Sequence, residues 1–397
     1  MSPMNTQAVI VIAPDKFKGS ATAEEVAVAL KRGLRSTISS AEVRCVPVAD
    51  GGEGTVDAAV SAGFARQITR VTGPTGDPVD AAWAMHTSVS GTDAVVELSQ
   101  ASGIELLDPS RLTGATATSR GTGELLQAAL DAGATRIVLG LGGSACTDGG
   151  AGMLAALGVK LLDQNGNHLT DGGVSLQHLY QVDLTGLDPR WTHTKVVLAS
   201  DVDNPLLGPH GAAAVFGPQK GLTSDDVAVF DAALGYYAEL LAEAAERAFG
   251  LEAGQSVADN VTQPGAGAAG GAGFGAMAVL RAQRCSGIDV VLDLVGFADA
   301  LADADLVITG EGSLDAQTLQ GKAPAGIAQM AGRHAIPVYA VCGRSLLSTA
   351  ETEAAGIKRV FALTELETDP DVSMRQAANL LTQVGAQIGD ILLAQPA

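Results

Sequence analysis

Short apolar runs rich in Val and Ile alternate along the chain with longer Ala/Leu segments whose apolar positions recur every three to four residues. That switching of period predicts βαβ units and a mainly parallel sheet. The first unit is a strand over Ala8–Ala13 followed by a helix over 22–35, and the second is a strand over Val43–Ala49, a loop over Asp50–Gly54 and a helix over 55–62. The stretch "TGPTGDPVDAAW" (72–83) breaks the rhythm. Its Gly, Pro and Asp predict a turn between antiparallel strands, with a domain boundary nearby. The middle of the chain predicts strands at 93–99, 136–142 and 195–201, a helix near 123–132, and a long helix over 224–249 leading to the Gly/Ala-rich run "PGAGAAGGAGFGAM". Alternation returns with a strand at 305–312, a helix near 324–334, the run "IPVYAVCG", a helix near 347–355, "RVFALT" and a last helix over 372–393.

The two ends resemble each other more than either resembles the middle. The expected fold is therefore α/β: a doubly wound, mainly parallel Rossmann-like domain built from 1–75 plus 291–397, with 76–290 inserted as a second α/β domain. A length of 397 residues agrees, being more than one ordinary core needs.

Charge narrows the ligand class. The formal net charge is −20, so nucleic acid and anionic membranes, which need basic patches, are poor partners. No apolar run approaches the ~18 residues of a membrane span. Four scattered cysteines, Cys45, Cys146, Cys285 and Cys342, argue against a disulfide framework or a structural zinc site. No basic leader precedes the first strand, and the expected setting is cytoplasmic.

In open α/β sheets ligands bind beyond the carboxyl ends of strands, so the loops that follow the predicted strands are where chemistry should sit. They read "DKFKGS", "DGGEGT", "GGSACTDGGAG", "SDVDNPL", "GEGSLDAQT" and "CGRS". Half of the eight lysines, Lys16, Lys18, Lys220 and Lys322, lie in glycine- or proline-bearing loops. In so acidic a chain this points to positive charge held for an anionic ligand; solvated loop lysines are the plain alternative. The segment "LGLGGSACTDGGAGM" (139–153) has six glycines in fifteen residues between a strand and a helix, the composition of a backbone nest for phosphate. Ser144 and Thr147 would add hydroxyl donors, and Asp148 could cap the helix or hold a cation; a tight turn with close helix–sheet packing explains the same glycines. Walker A fails, because position 316 is alanine, and the literal GxGxxG at Gly265–Gly270 follows "NVTQP" rather than a strand. Acids stand in the same loops: Asp50 and Glu53, Asp201 and Asp203, Glu311 and Asp315. Loop cations beside loop acids suit a nucleoside triphosphate with Mg²⁺, which takes one or two carboxylates plus phosphate oxygens. The six histidines show no ligand spacing.

In their order, "APDKFKGS", "VADGGEGT", "GPTGDPV", "SRGTGELL", "GLGGSACTDGGAG", "SDVDNPL", "GPQKG", "PGAGAAGGAGFG" and "TGEGSLDAQTLQGKAP" resemble the type-1 glycerate kinases over residues 8–385. The resemblance implies phosphorylation of D-glycerate by ATP, at the 2-hydroxyl, to give 2-phosphoglycerate and ADP, with a place in organic-acid catabolism. It also implies two dissimilar α/β domains with the site between them. Roles built from chemistry make Lys16, Lys18, Asp50 and Asp201 catalytic, and Arg120, Lys220 and Lys322 substrate-binding. Gly142, Gly143, Ser144, Thr147, Gly149, Gly271 and Gly273 would bind nucleotide phosphates, and Asp201, Glu311 and Asp315 would hold Mg²⁺. Asp50 or Asp201 would accept the hydroxyl proton. The expected state is monomer or homodimer. Two other readings of the residues stay open: a Mg²⁺-dependent phosphatase or mutase acting on a small phosphorylated acid, and a non-catalytic sensor of a small anion.

Overall fold

A computed structural model describes residues 8–108 and 112–394. These form two compact units. The first comprises the chain up to Asp50, Asp57–Ala62 and the segment from Gly287 onward; the second comprises Gly51–Val56 and Gly63–Ser286.

The first unit is a five-stranded parallel sheet in the order Ile357–Ala362, Val338–Ser345, Leu306–Leu314, Val9–Pro14, Glu42–Cys45. Alternate residues of Val9–Pro14 serve opposite faces, as a period of two requires. Ile10 and Ile12 pack with Leu30, Leu34, Leu381 and Ile388 of helices Ala23–Thr37 and Ala377–Ala394. Val11 and Ala13 pack on the other face with Val291 and Ile327 of helices Gly287–Leu294 and Ala323–Arg333. Each fully buried Leu or Ile contributes about 1.5–3 kcal/mol. The Ala23–Thr37 helix starts where Thr22 caps it, its hydroxyl accepting from the Glu25 amide while the Glu25 carboxylate accepts from the Thr22 amide. From Val9–Pro14 the chain moves to one side of the sheet, and from Leu306–Leu314 it moves to the other. The switch point of this doubly wound sheet therefore falls between those two paired strands. Glu42–Cys45 is shorter than expected, yet Val46 and Val48 still donate to Ile12 and Pro14; Pro47 has no N–H to give.

The second unit holds a six-stranded sheet ordered Gln283–Cys285, Lys195–Ala199, Arg136–Gly140, Gly91–Glu97, Pro78–Ser88, Ala65–Thr72. The first four strands run parallel and the last two add antiparallel. A small antiparallel pair, Lys160–Leu162 with Gln181–Asp183, accompanies it. The core joins Leu139 and Leu198 of the sheet to Leu125, Met153 and Phe274 and to Leu234, Tyr237 and Leu241 of the long Ser224–Phe249 helix.

The expected boundary near residue 75 needs correction. Ala65–Thr72 pairs with Pro78–Ser88 along its whole length, so the Gly/Pro/Asp stretch is a hairpin turn inside the second unit. Gly73 donates to Asp77 there and Gly76 takes φ +92°. The chain leaves the first unit earlier, around the "DGGEG" loop and the short Thr55–Ser61 helix.

Candidate active site

The first unit gathers acids and lysines at the carboxyl ends of its two central strands. Asp15 is the first residue beyond Val9–Pro14; its amide donates to the Gly310 carbonyl of the neighbouring strand at 2.8 Å, and its Oδ1 accepts from the Lys16 amide at 2.6 Å. Its carboxyl is pushed up to about 7, chiefly by burial, then by the negative charge of Asp50 and, more weakly, of Glu311; the Lys16 amide and ammonium act in the opposite sense. Glu311, 7% exposed, accepts from the Thr318 hydroxyl, and the Asp315 amide donates to the same hydroxyl oxygen at 3.0 Å. Burial raises the Glu311 carboxyl too; Thr318 and Lys322 lower it, while Asp315 and Asp50 add to the rise. Asp15, Asp50 and Glu311 thus feel one another, with Lys16 and Lys322 in electrostatic reach. Lys18 is exposed on the turn beyond.

This brings together five of the expected residues, Lys16, Asp50, Glu311, Asp315 and Lys322. It also adds Asp15, which sequence reasoning passed over. The signal was present, because Asp15 is the first polar residue after the first strand. Its neighbours were not, because they depend on strand 9–14 pairing with strand 306–314.

In the second unit the loop between Arg136–Gly140 and helix Ala151–Ala156 is a tight polar structure. Asp148 is fully buried and accepts from the Ser119 amide at 2.9 Å, the Ser119 hydroxyl at 2.8 Å, the Gly150 amide at 3.1 Å and the Gly152 amide at 3.2 Å. It fixes the loop rather than facing a ligand. Lys220 is 1% exposed, and its ammonium donates to the Ser144 hydroxyl and the Cys146 carbonyl, both at 2.7 Å. Burial pushes that ammonium down to about 8, against the charge of Asp148. The exposed lip of the loop is Gly143, with Gly142 half-buried beside it. Gly142 lies so close to the "DGGEG" backbone that a Cβ there would sit 2.6 Å from the Gly52 Cα. The "DGGEG" segment is itself held by Glu97, 1% exposed, which accepts from the Val56 amide.

Several expectations are corrected here. Lys220 cannot meet substrate, because it is buried beneath the loop. Thr147 is also fully buried, so its hydroxyl is not presented to a ligand. The Gly149 amide is already given to the Gly270 carbonyl at 2.9 Å. Gly271 and Gly273 are packing glycines: a Cβ at 271 would lie 2.9 Å from Gly149 Cα, and one at 273 would lie 2.1 Å from the Gly265 carbonyl. The second glycine-rich run therefore supports the first through close backbone contact. Arg120, meant for a substrate carboxylate, holds Asp171 through Nε at 2.6 Å and Nη2 at 2.9 Å. Both line a cavity of about 380 Å³ with Lys160, His168, Thr170 and Ser175. Asp201 is half-buried just past Lys195–Ala199, whereas Asp203 is 81% exposed and accepts from Arg284 at 2.6 Å. The two acids, two residues apart, face different surroundings.

Among the described residues no three acidic, histidine or cysteine side chains form a ready metal cage. Nor is any helix there long and apolar enough to cross a membrane. The donor chemistry of the first unit still suits a hard divalent cation: Asp15, Asp50 and Glu311 offer carboxylate oxygens whose mutual repulsion a cation would relieve.

Comparison with known proteins places the chain. The family model described as "Glycerate kinase family" matches residues 10–393. A glycerate kinase of Bacillus subtilis (strain 168) is 43% identical over 380 residues, covering 96% of each chain. A glycerate 2-kinase of Escherichia coli (strain K12) is 44% identical over 355 residues, covering 89% of this chain and 90% of that one. A crystal structure assigned as a glycerate kinase 2 from Salmonella typhimurium LT2 superposes with a TM-score of 0.82 at 40% identity, covering 98% of this chain and 99% of that one. The chain belongs to the glycerate kinase family.

Proposed function

We propose that the protein transfers the γ-phosphoryl group of ATP to the 2-hydroxyl of D-glycerate, giving 2-phosphoglycerate and ADP. The match to the family model across residues 10–393 carries this reading, and the 2-position follows the E. coli relative. Phosphoryl transfer asks for positioning and charge neutralisation more than covalent chemistry, and the two polar loop systems supply both. Asp15 is the best-placed group to take the 2-hydroxyl proton, since a base is most effective when its pKa lies near the working pH. Asp50 is the neighbour that tunes it. Lys16 and Lys18 oppose the charge on the moving phosphoryl group, and Lys322 serves the glycerate carboxylate. The amides at the Gly142–Gly143 lip take nucleotide phosphate. Glu311 and Asp50 would hold Mg²⁺ in the first unit. A divalent cation held there would supply charge neutralisation for the triphosphate. Four free thiols suit a cytoplasmic setting.

³¹P NMR of the purified protein with ATP, Mg²⁺ and D-glycerate tests activity and regiochemistry together. A new phosphomonoester on the carbon bearing the carboxylate, with one ADP per ester, is the expected result. Phosphate release from phosphorylated acids without ATP would favour a phosphatase, and binding without turnover a sensor.

A further inference from the structure

The buried lysine beneath the glycine-rich loop has a use that neither contact with substrate nor simple packing explains. Lys220 closes the short turn Pro218–Lys220, which follows helix Ala212–Phe216, and its own carbonyl accepts from the Gly114 amide at 2.9 Å. Glycine at 114 permits this close approach, since a Cβ there would lie 2.6 Å from the same carbonyl. The ammonium lies buried against residues 144–146 and is held by two hydrogen bonds. An ammonium has three hydrogens to donate and no lone pair, so every group it touches must accept. Ser144 accepts through its hydroxyl oxygen, which leaves the hydroxyl hydrogen to be donated away from Lys220. The Cys146 carbonyl accepts the second bond and pins the turn that follows. Ser144 is 8% exposed and adjoins the open lip at Gly143.

We infer that Lys220 is a positioning residue for nucleotide binding: its buried ammonium fixes Ser144 as an outward hydrogen-bond donor, beside the Gly142–Gly143 amides, for an anionic phosphate oxygen. The inference rests on the reading of that loop as the nucleotide-phosphate site. It requires positive charge at 220 without contact between Lys220 and the ligand. Lysine meets this need better than a hydroxyl or an amide, because those groups can accept as well as donate and would let the Ser144 hydrogen turn inward.

Calorimetric titration with Mg²⁺–ADP, together with KM values for ATP and glycerate, tests it. Lys220→Met keeps length and apolar bulk and should weaken Mg²⁺–ADP about tenfold, the loss typical of a charge-assisted hydrogen bond. KM for ATP should rise in parallel, and KM for glycerate should not change. Ser144→Ala should reproduce this, and the double variant should be no weaker than either single one. Equal loss for both substrates would assign Lys220 a purely structural role and overturn the inference. Should Lys220→Met fail to fold, a folded Ser144→Ala with unaltered Mg²⁺–ADP affinity overturns it as well. Gly143→Asp separates the two claims, since a carboxylate on the lip must repel phosphate. If Gly143→Asp weakens Mg²⁺–ADP while the other two variants do not, the loop reading stands and the role of Lys220 falls. If Gly143→Asp leaves binding intact, the loop reading itself falls.

Discussion

Asp15 is an acid kept partly neutral at the working pH by burial and by Asp50. Its folded-state pKa of about 7 lies above the ordinary value of 3.8, so folding favours its protonated form. The associated stability is fully present below pH ~4 and is lost as pH rises through ~7. Asp15→Asn should therefore raise the melting temperature at pH 8, leave it unchanged near pH 4, and lower kcat by about 10² or more. Calorimetry at both pH values beside steady-state assays checks this, and unchanged kcat would remove Asp15 as the base. Lys18 is exposed, so Lys18→Ala should leave the melting temperature alone while lowering kcat by about 10² to 10³. Unaltered turnover in that variant would exclude Lys18 from charge neutralisation. At this scale the sequence named Lys16, Asp50 and Glu311, which the fold brings near one another, but could not show that Lys220 is buried. A lysine in a glycine-bearing loop reads as a ligand group until it is known which other segment covers it. Asp148 could be named as a cap from its place before the helix, but the four donors it satisfies come partly from Ser119, distant in sequence.

Regular elements were legible where one face is apolar and the run is long, as in Ser224–Phe249 and Ala23–Thr37. Ala65–Thr72 was anticipated only as an unbounded strand before the 72–83 turn, because an edge strand exposes most of its side chains and "ARQITRVT" shows almost no apolar alternation. Leu251–Asn260 was missed because its Gly and Ala carry little periodic signal. The glycines of the paired helices Ala23–Thr37 and Ala377–Ala394 make a prediction of their own. A Cβ at Gly33 would lie 2.0 Å from the Thr382 carbonyl, and one at Gly385 would lie 2.4 Å from the Leu30 carbonyl. An alanine in a free helix stabilises, but here the helices must separate. Gly33→Ala and Gly385→Ala should each cost about 1–3 kcal/mol in urea unfolding. A stabilised Gly33→Ala protein would mean that the two helices pack less closely than described.

The whole molecule carries a net charge of −20, and both proposed substrates are anions. Distant repulsion should slow their capture at low salt, where the Debye length is about 30 Å, and fade near physiological salt, where it is about 8 Å. The expected result is a two- to threefold rise, roughly, in kcat/KM for ATP between 0.01 and 0.15 M salt. A steep fall instead would show that the local lysines dominate approach. Two α/β units with the first built from both ends of the chain could be read from the sequence; the crossing point could not, because a hairpin turn and a linker share the same Gly, Pro and Asp. That first unit has a consequence for biosynthesis. Val9–Pro14 lies between Glu42–Cys45 and Leu306–Leu314, so during synthesis it waits for almost three hundred further residues before one of its edges is covered. Sequence-local pairings of the second unit can close during translation, while the nascent amino-terminal βαβ segment remains open to misassociation and in need of chaperone protection.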